Sequence, residues 1–144
     1  RYIKSYLNRY PGVEKFMNDT VENAKNDGYV STMFKRRRSI PELKASNKML
    51  QAAGKRIAMN TPVQGTAADI IKIAMVKVYR RLKEENLDAK LILQVHDELI
   101  VESSLKDADR ASAVLAEEMR NAVSLSVPLT ADVNKGGTWY DAKG

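Results

Sequence analysis

The chain has 144 residues, no cysteine and a formal net charge of +6. Its length suffices for one ordinary domain with a core, and the lack of cysteine excludes disulfides and thiolate zinc sites. No apolar run approaches the roughly 20 residues that span a bilayer, and no signal-peptide pattern opens the chain, so a cytoplasmic location is the default expectation. Because it begins at Arg1 inside a helical pattern, we expect a piece of a larger protein.

The positive charge is concentrated in the first 60 residues, which carry 13 Lys/Arg against 5 Asp/Glu. Residues 61–144 carry 11 Lys/Arg against 13 Asp/Glu. A basic half of this kind fits a polyanionic partner such as nucleic acid, but basic surfaces also simply keep proteins soluble. Charge alone does not separate the two interpretations.

Two helices and a β-hairpin are predicted at the start of the chain. Apolar residues at helical spacing predict one helix that ends at Pro11 and a second that ends at Gly28. Residues 29–34 and 37–40 are typical of the strands of a short hairpin, although no glycine marks its turn. Pro41 ends the hairpin.

A helical pattern from about Ala45 is interrupted at Pro62. Proline disfavours helical geometry at the residue before it but suits the first turn of a new helix, so Thr61 is predicted to cap a second helix. That helix carries a broad apolar stripe and is expected to end near Asn86. Its N-terminus would offer free backbone N–H groups to anions beside Gln64.

Residues 91–102 contain two apolar runs that predict an antiparallel hairpin. Strict alternation places Leu91, Leu93 and Val95 on one face of the first strand. The hairpin is expected to be buried on this apolar flank.

A helix and a final strand are predicted after the hairpin. Residues 104–107 resemble a capping box, and a helical pattern follows to about Ala122. Residues 127–133 then have the pattern of a third strand. Helices grouped around an antiparallel hairpin and one further strand indicate an α+β fold.

The tip of the predicted hairpin holds His96, Asp97 and Glu98, and His96 is the only histidine in the chain. Adjacent carboxylates repel each other, which is unfavourable unless a cation lies opposite to offset the repulsion. Their hard oxygen atoms are suitable ligands for Mg²⁺. Two carboxylates cannot complete such a site, so a further acid from elsewhere is required. The alternative is a solvated acidic turn, which is the usual role of an Asp-Glu pair. The histidine can donate to a phosphate or a 3′-terminal group.

A second candidate site is formed by Arg56, Asn60 and Gln64. Arg56 and Asn60 share a helix face, and all three side chains can donate hydrogen bonds to minor-groove acceptors such as purine N3 and pyrimidine O2. The alternative is a polar helical turn that satisfies its own groups. Gly65 would let a backbone come close, and Asp69 is interpreted as structural.

The run Lys35-Arg36-Arg37-Arg38 is the third candidate. Arginine side chains suit bidentate phosphate contacts. The alternatives are a solvated loop, or an internal pair between one arginine and Glu42.

Together these segments resemble the C-terminal fingers and palm of bacterial family A DNA polymerases, the DNA polymerase I type. Residues 94–99 (Gln-Val-His-Asp-Glu-Leu) match the family's motif C, and residues 56–69 match the helix pair before it. The resemblance covers essentially the whole chain, since further segments match in order: Tyr10-Pro-Gly-Val, Gly28-Tyr-Val, Arg36-Arg-Arg-Ser-Ile-Pro, Val127-Pro-Leu and Gly137-Thr-Trp-Tyr.

The resemblance implies catalytic and metal-binding roles for Asp97 and Glu98. Asp97 would be one of two aspartates that bridge a pair of Mg²⁺ ions, and Glu98 would assist by position and charge. His96 would hold the primer terminus.

The resemblance also implies a DNA-binding surface. Arg56, Asn60 and Gln64 would lie along the minor groove of the template-primer duplex, where correct base pairs of any sequence present similar acceptors. Among Arg36, Arg37 and Arg38 it does not say which side chain touches DNA.

The resemblance covers only part of a polymerase. Residues 1–47 would be the trailing end of the fingers and residues 48–144 the larger share of the palm. Motif A, with the first catalytic aspartate, and the motif B helix, which handles the incoming deoxynucleoside triphosphate, are missing. We therefore expect DNA-directed DNA synthesis by a longer protein, and none by these residues alone. The alternatives are a palm of a phage-type single-subunit RNA polymerase and a palm fragment that binds DNA without copying it.

Overall fold

The computed structural model describes residues 2–143. They form an α+β fold with two separate two-stranded antiparallel sheets, which confirms the predicted class. None of the helices in this range is long and apolar enough to cross a membrane. The elements are α1 (Tyr2–Arg9), α2 (Pro11–Asp27), β1 (Tyr29–Ser31), β2 (Arg37–Ser39), a 3₁₀ helix (Pro41–Lys44), α3 (Lys48–Glu84), β3 (Ala89–Val95), β4 (Glu98–Ser103), α4 (Ala108–Arg120) and α5 (Trp139–Ala142).

The chain folds as two compact units: unit 1 ends at Thr66, and unit 2 begins at Ala67. The small core of unit 1 comes from α2, the first hairpin, the 3₁₀ helix and the first half of α3; its buried residues are Ala24, Val30, Ile40, Leu43 and Ala58. Gly28 takes a left-handed conformation (φ 81°) and its N–H donates to the carbonyl of Ala24 at 2.8 Å, so the predicted end of α2 is confirmed.

The first hairpin is confirmed, although each strand has only three residues. Its turn uses Thr32 where a glycine would be usual. The buried Thr32 hydroxyl accepts from the N–H groups of Phe34 (3.2 Å) and Arg36 (3.3 Å). Lys35 takes the positive φ of 64° that the tight turn requires.

Helix α3 does not break at Pro62, so the predicted helix start and the Thr61 cap are both wrong. Proline removes one hydrogen bond and costs about 3 kcal/mol inside a helix. Burying one large aliphatic side chain contributes about 1.5–3 kcal/mol. Burial outweighs this cost, because α3 buries Ala58 before Pro62 and four apolar residues after it: Ile71, Ala74, Val78 and Leu82. No free backbone N–H groups of a helix start lie beside Gln64, so that anion site was also wrong.

The C-terminal end of α3 lies close to the predicted Asn86. Asn86 has a φ of 50°, its N–H donates to Lys83, and the N–H of Leu87 donates to Leu82. These two bonds form a Schellman motif, with asparagine in the position that glycine most often takes.

Unit 2 has a core between the second half of α3, the hairpin and α4. Its buried residues are Ile71, Ala74, Val78, Leu82, Leu99, Ala111, Val114 and Ala122. The predicted β3–β4 hairpin is confirmed, but the predicted strict alternation of side chains between the two faces of β3 is wrong. Leu91 pairs with Val101 and Leu93 with Ile100, so a bulge at Ile92 puts Leu91 and Leu93 on opposite faces. Leu93 is 43% exposed, and the hairpin is therefore less buried than predicted.

The predicted final strand is absent, because residues 127–133 pair with no strand in the described part of the chain. A strand needs a partner for its backbone groups, and Pro128 in addition lacks an N–H to donate. Only one of the two contacts of the predicted capping box is present. The Asp107 N–H lies 3.4 Å from the Ser104 hydroxyl, but the Asp107 carboxylate accepts instead from the N–H of Asp88 at 2.8 Å.

An ion-pair cluster links the end of α3 to α4. Arg81 pairs with Glu85 at 2.8 Å and also contacts Glu117, and Glu85 accepts from Arg110. The hydrogen bond from Arg110, and then that from Arg81, lower the pKa of Glu85 below its ordinary value.

Gly65→Ala is expected to destabilise unit 1, since a Cβ there would lie 2.7 Å from Cγ2 of the buried Thr32. Overpacking costs about 1–3 kcal/mol and exceeds the gain of about 1 kcal/mol from alanine in a helix. Gly12→Ala is the control, because its Cβ would meet nothing within 4 Å. Urea unfolding followed by circular dichroism measures both. Equal midpoints for the two variants would contradict the tight packing.

Glu85→Gln is expected to lower stability at pH 7 and to have less effect at low pH. A carboxyl whose pKa is lowered by folding stabilises above its unfolded pKa, about 4.3, and loses that contribution as pH falls through its folded pKa. Unfolding midpoints between pH 7 and pH 3 test this. The control is Glu84→Gln, since Glu84 forms no ion pair with any described residue. A pH-independent effect of Glu85→Gln would refute the proposed linkage.

Candidate nucleic-acid interface and acidic hairpin tip

Arg56, Asn60 and Gln64 lie at four-residue intervals on the uninterrupted helix α3, and all three are exposed. Each interval advances about 6 Å along the axis and turns only about 40°, so the side chains form one row. The row is about 12 Å long, which corresponds to three or four base-pair steps of about 3.4 Å. The continuity of α3 through Pro62 makes this a single surface.

The three side chains line one open pocket together with Arg38 and Thr61. Arg38 extends from β2, and its Nη1 lies 3.5 Å from the Thr61 hydroxyl, a long contact that leaves most of its donors available. The remaining lining residues are Ala53 and Ile57, so the lining contains no carboxylate. We call this set the donor pocket. It presents guanidinium and amide donors, the groups that bind phosphate oxygens and base-edge acceptors.

The three arginines of the basic run have different surroundings. Arg36 donates to the carbonyl of Gly65 at 3.3 Å. Arg37 stacks over the ring of Tyr29, with its Cζ 4.5 Å from the centroid. Arg38 alone among the three lines the donor pocket, so the structure brings it together with the predicted minor-groove residues.

Sequence reasoning missed the residues that support this arrangement. The amide of Met33 donates to the Thr66 hydroxyl at 2.9 Å, and Thr32 fills the space above Gly65. The role of Thr32 could have been predicted from its position just before a turn that lacks glycine, because a threonine hydroxyl can accept hydrogen bonds from the amides of a turn. No signal pointed to Thr66, whose partner lies 33 positions away.

The acidic tip is a two-residue turn at His96 and Asp97, closed by the pair Val95 and Glu98. His96 takes a φ of 53°, which histidine reaches more easily than most residues. The side chain of Gln94 donates to the His96 carbonyl at 2.6 Å and so restrains the turn. His96, Asp97 and Glu98 are all exposed.

The tip is anchored by its neighbour in the chain, since the buried Leu99 packs into the core of unit 2. The carboxylates of Asp97 and Glu98 are therefore carried on a fixed support and face solvent. They are suitable ligands for Mg²⁺, which takes one or two protein carboxylates together with phosphate oxygens and water. Within residues 2–143, no group of three or more His, Asp and Glu side chains is placed to hold a metal ion. The tip fits the ion in ligand chemistry but supplies only part of a site.

Comparison with solved structures shows that the fold is similar to part of a polymerase domain. The chain is similar to a structure described as the POL domain of Pol1 from M. smegmatis in complex with DNA primer-template and dNTP. The TM-score is 0.95 and the identity 42%, over 99% of this chain and 25% of that one. The family model for DNA polymerase family A matches residues 1–141. The chain therefore belongs to DNA polymerase family A.

Curated relatives agree with this assignment. The chain is 47% identical over 142 residues to the DNA polymerase I of Caldicellulosiruptor bescii, and 47% identical to that of Bacillus subtilis. In each case the match covers 99% of this chain but only 17% and 16% of the relative. The chain thus spans about one-sixth of the length of these relatives.

Proposed function

We propose that this chain is the DNA-binding and metal-binding C-terminal portion of a DNA-directed DNA polymerase. In a longer protein it would take part in template-directed nucleotidyl transfer to a primer 3′-hydroxyl. The observation that carries the proposal is the donor pocket, where Arg38, Arg56, Asn60 and Gln64 meet on a fold that matches a polymerase domain. The partner of this chain would be a template-primer duplex, and the longer protein would also bind deoxynucleoside triphosphates.

The row on helix α3 is suited to the minor groove. Purine N3 and pyrimidine O2 accept hydrogen bonds there at similar positions in A·T and G·C pairs. Donors spaced along about 12 Å therefore bind any correctly paired sequence, which is the property that a copying enzyme needs. Arg38 adds a guanidinium that can pair with a backbone phosphate at the edge of the groove.

The acidic tip would contribute ligands rather than a complete centre. Asp97 would hold metal, Glu98 would add negative charge beside it, and His96 would donate to the primer terminus. Metal-dependent catalysis is what the family implies, and two Mg²⁺ ions are the specific proposal. When bound, such ions lower the pKa of an attacking hydroxyl and neutralise charge on phosphate oxygens.

The remaining parts would come from the longer protein. We assign residues 1–47 to the trailing part of the fingers and residues 48–144 to the palm. A second aspartate for the metals and the nucleotide-handling helix would lie outside this chain. A partial acidic tip also fits a palm fragment that binds DNA without copying it, and synthesis assays separate the two. The relatives named DNA polymerase I favour the DNA enzyme over an RNA polymerase.

The 144-residue chain is expected to bind a primer-template duplex with a Kd that rises steeply with salt, and to incorporate no nucleotide. Arg56→Ala should weaken binding about tenfold, since a base-edge contact contributes about 1–3 kcal/mol. The control is Lys55→Ala, which removes a positive charge from the residue just before Arg56, outside the donor pocket. This variant should change the Kd less than about twofold. Fluorescence anisotropy and primer extension measure these properties. Equal losses for the two variants, or primer extension by the chain, would contradict the proposal.

In a longer polymerase that contains this segment, Asp97→Ala should reduce incorporation about 10³-fold or more. A bound metal supplies several kcal/mol of charge stabilisation, and each 1.36 kcal/mol is a factor of ten in rate. Duplex affinity should stay within about twofold, because no groove contact is removed. Glu102→Gln, on the same hairpin but away from the tip, is the control. Near-normal turnover by Asp97→Ala would refute the role of this carboxylate.

A further inference from the structure

The side chain of Gln94 reaches along the second hairpin to the backbone of the acidic tip. Its Nε2 donates to the carbonyl oxygen of His96 at 2.6 Å. The strand pairing ends at Val95 and Glu98, so His96 lies beyond the last pair. The bond from Gln94 therefore restrains a residue that has no partner in the strand pairing.

Gln94 starts from a fixed support. It pairs across the hairpin with Leu99, which is 7% exposed and belongs to the core of unit 2. The backbone position from which the amide reaches the tip is thus set by the core.

The bond also stabilises an uncommon backbone conformation. His96 has a φ of 53°, in the left-handed region, where the Cβ of an L-residue comes close to the following carbonyl oxygen. The cost of this conformation and the net contribution of one hydrogen bond are of the same order, so the bond from Gln94 offsets much of the cost. Without it, other conformations of the turn become more populated.

This restraint passes to Asp97 through the peptide bond. The His96 carbonyl and the Asp97 N–H belong to one planar peptide unit. A fixed direction of that carbonyl therefore fixes the plane from which the Cα of Asp97 continues. Since the Asp97 side chain is exposed, the backbone contributes more to its direction than packing does.

We propose that Gln94 is a positioning residue for Asp97, which acts through the His96 carbonyl and sets the direction of the carboxylate. The proposal rests on the proposed function, in which Asp97 would hold metal. Mg²⁺ demands a near-ideal octahedral arrangement of its ligands, so a carboxylate must meet it from a defined direction. A turn that samples several conformations would present the carboxylate correctly only part of the time, and the apparent metal affinity would fall by that fraction.

Variants of Gln94 test this role. Gln94→Met keeps the length of the side chain and removes the donor, and Gln94→Ala removes the side chain beyond Cβ. The matched control is Gln51→Met, because the Gln51 amide also donates to a backbone carbonyl, that of Ala45, at 2.6 Å.

NMR relaxation of the ¹⁵N-labelled 144-residue chain measures the order parameter of the Asp97 N–H, which lies in the restrained peptide plane. We expect this order parameter to fall from about 0.85 toward about 0.6 in both Gln94 variants, because the plane is no longer held. It should stay unchanged in Gln51→Met.

In a longer polymerase that contains this segment, the Mg²⁺ concentration for half-maximal incorporation reports on the metal site. It should rise about three- to tenfold in both Gln94 variants, because the competent turn conformation is less populated. The Kd for a primer-template duplex should stay within about twofold, since no groove contact is removed. Gln51→Met should leave the Mg²⁺ requirement unchanged.

An unchanged Asp97 order parameter in both Gln94 variants would overturn the role of Gln94 alone, and so would an unchanged Mg²⁺ requirement. An equal rise in Gln51→Met would also overturn it, because the effect would then be general destabilisation. Near-normal turnover by Asp97→Ala in the same polymerase would overturn the proposed function and this role with it.

Discussion

The close contact between the hairpin turn and one turn of helix α3 is the constraint on which the candidate DNA surface depends. Gly65 leaves the space that Thr32 fills, because a Cβ there would lie 2.7 Å from the threonine methyl. Thr66 and the Gly65 carbonyl then hold the turn through hydrogen bonds. Val30, the residue paired with Arg38, is buried in the core of unit 1 together with Ala58 of α3, so the strand that carries this arginine has a defined place beside the helix.

Continuity of α3 is the second requirement, and it resolves a conflict between local and tertiary preferences. Pro62 disfavours the helix by about 3 kcal/mol. Apolar side chains of α3 contribute to the cores of both units, and each large one contributes about as much as the proline costs. Tertiary burial therefore decides the conformation. As a result the donors at Arg56, Asn60 and Gln64 form a single row rather than two sets separated by a break.

Much of the fold could be predicted from residue patterns, and the failures have physical reasons. Helix ends at Gly28 and near Asn86 were predictable, because a left-handed residue stops a helix locally. The bulge at Ile92 was not, since it depends on the register between two strands. The strand predicted at residues 127–133 has a suitable pattern but no partner within the described residues. The residues of the candidate site could be predicted individually from the sequence. Only the three-dimensional contacts show that Arg38, rather than Arg36 or Arg37, lies in the donor pocket.

We propose that the donor pocket binds duplex DNA through the minor groove of the duplex. The most direct measurement compares the affinity of the chain for three primer-template duplexes: natural, 3-deazapurine-substituted and 7-deazapurine-substituted. The first substitution removes the purine acceptor of the minor groove, and the second removes the N7 acceptor of the major groove. We expect weaker binding with the 3-deazapurine duplex only, and we expect the Arg56→Ala variant to bind the natural and 3-deazapurine duplexes equally. Weaker binding with 7-deazapurines alone, or equal affinity for all three duplexes, would contradict it.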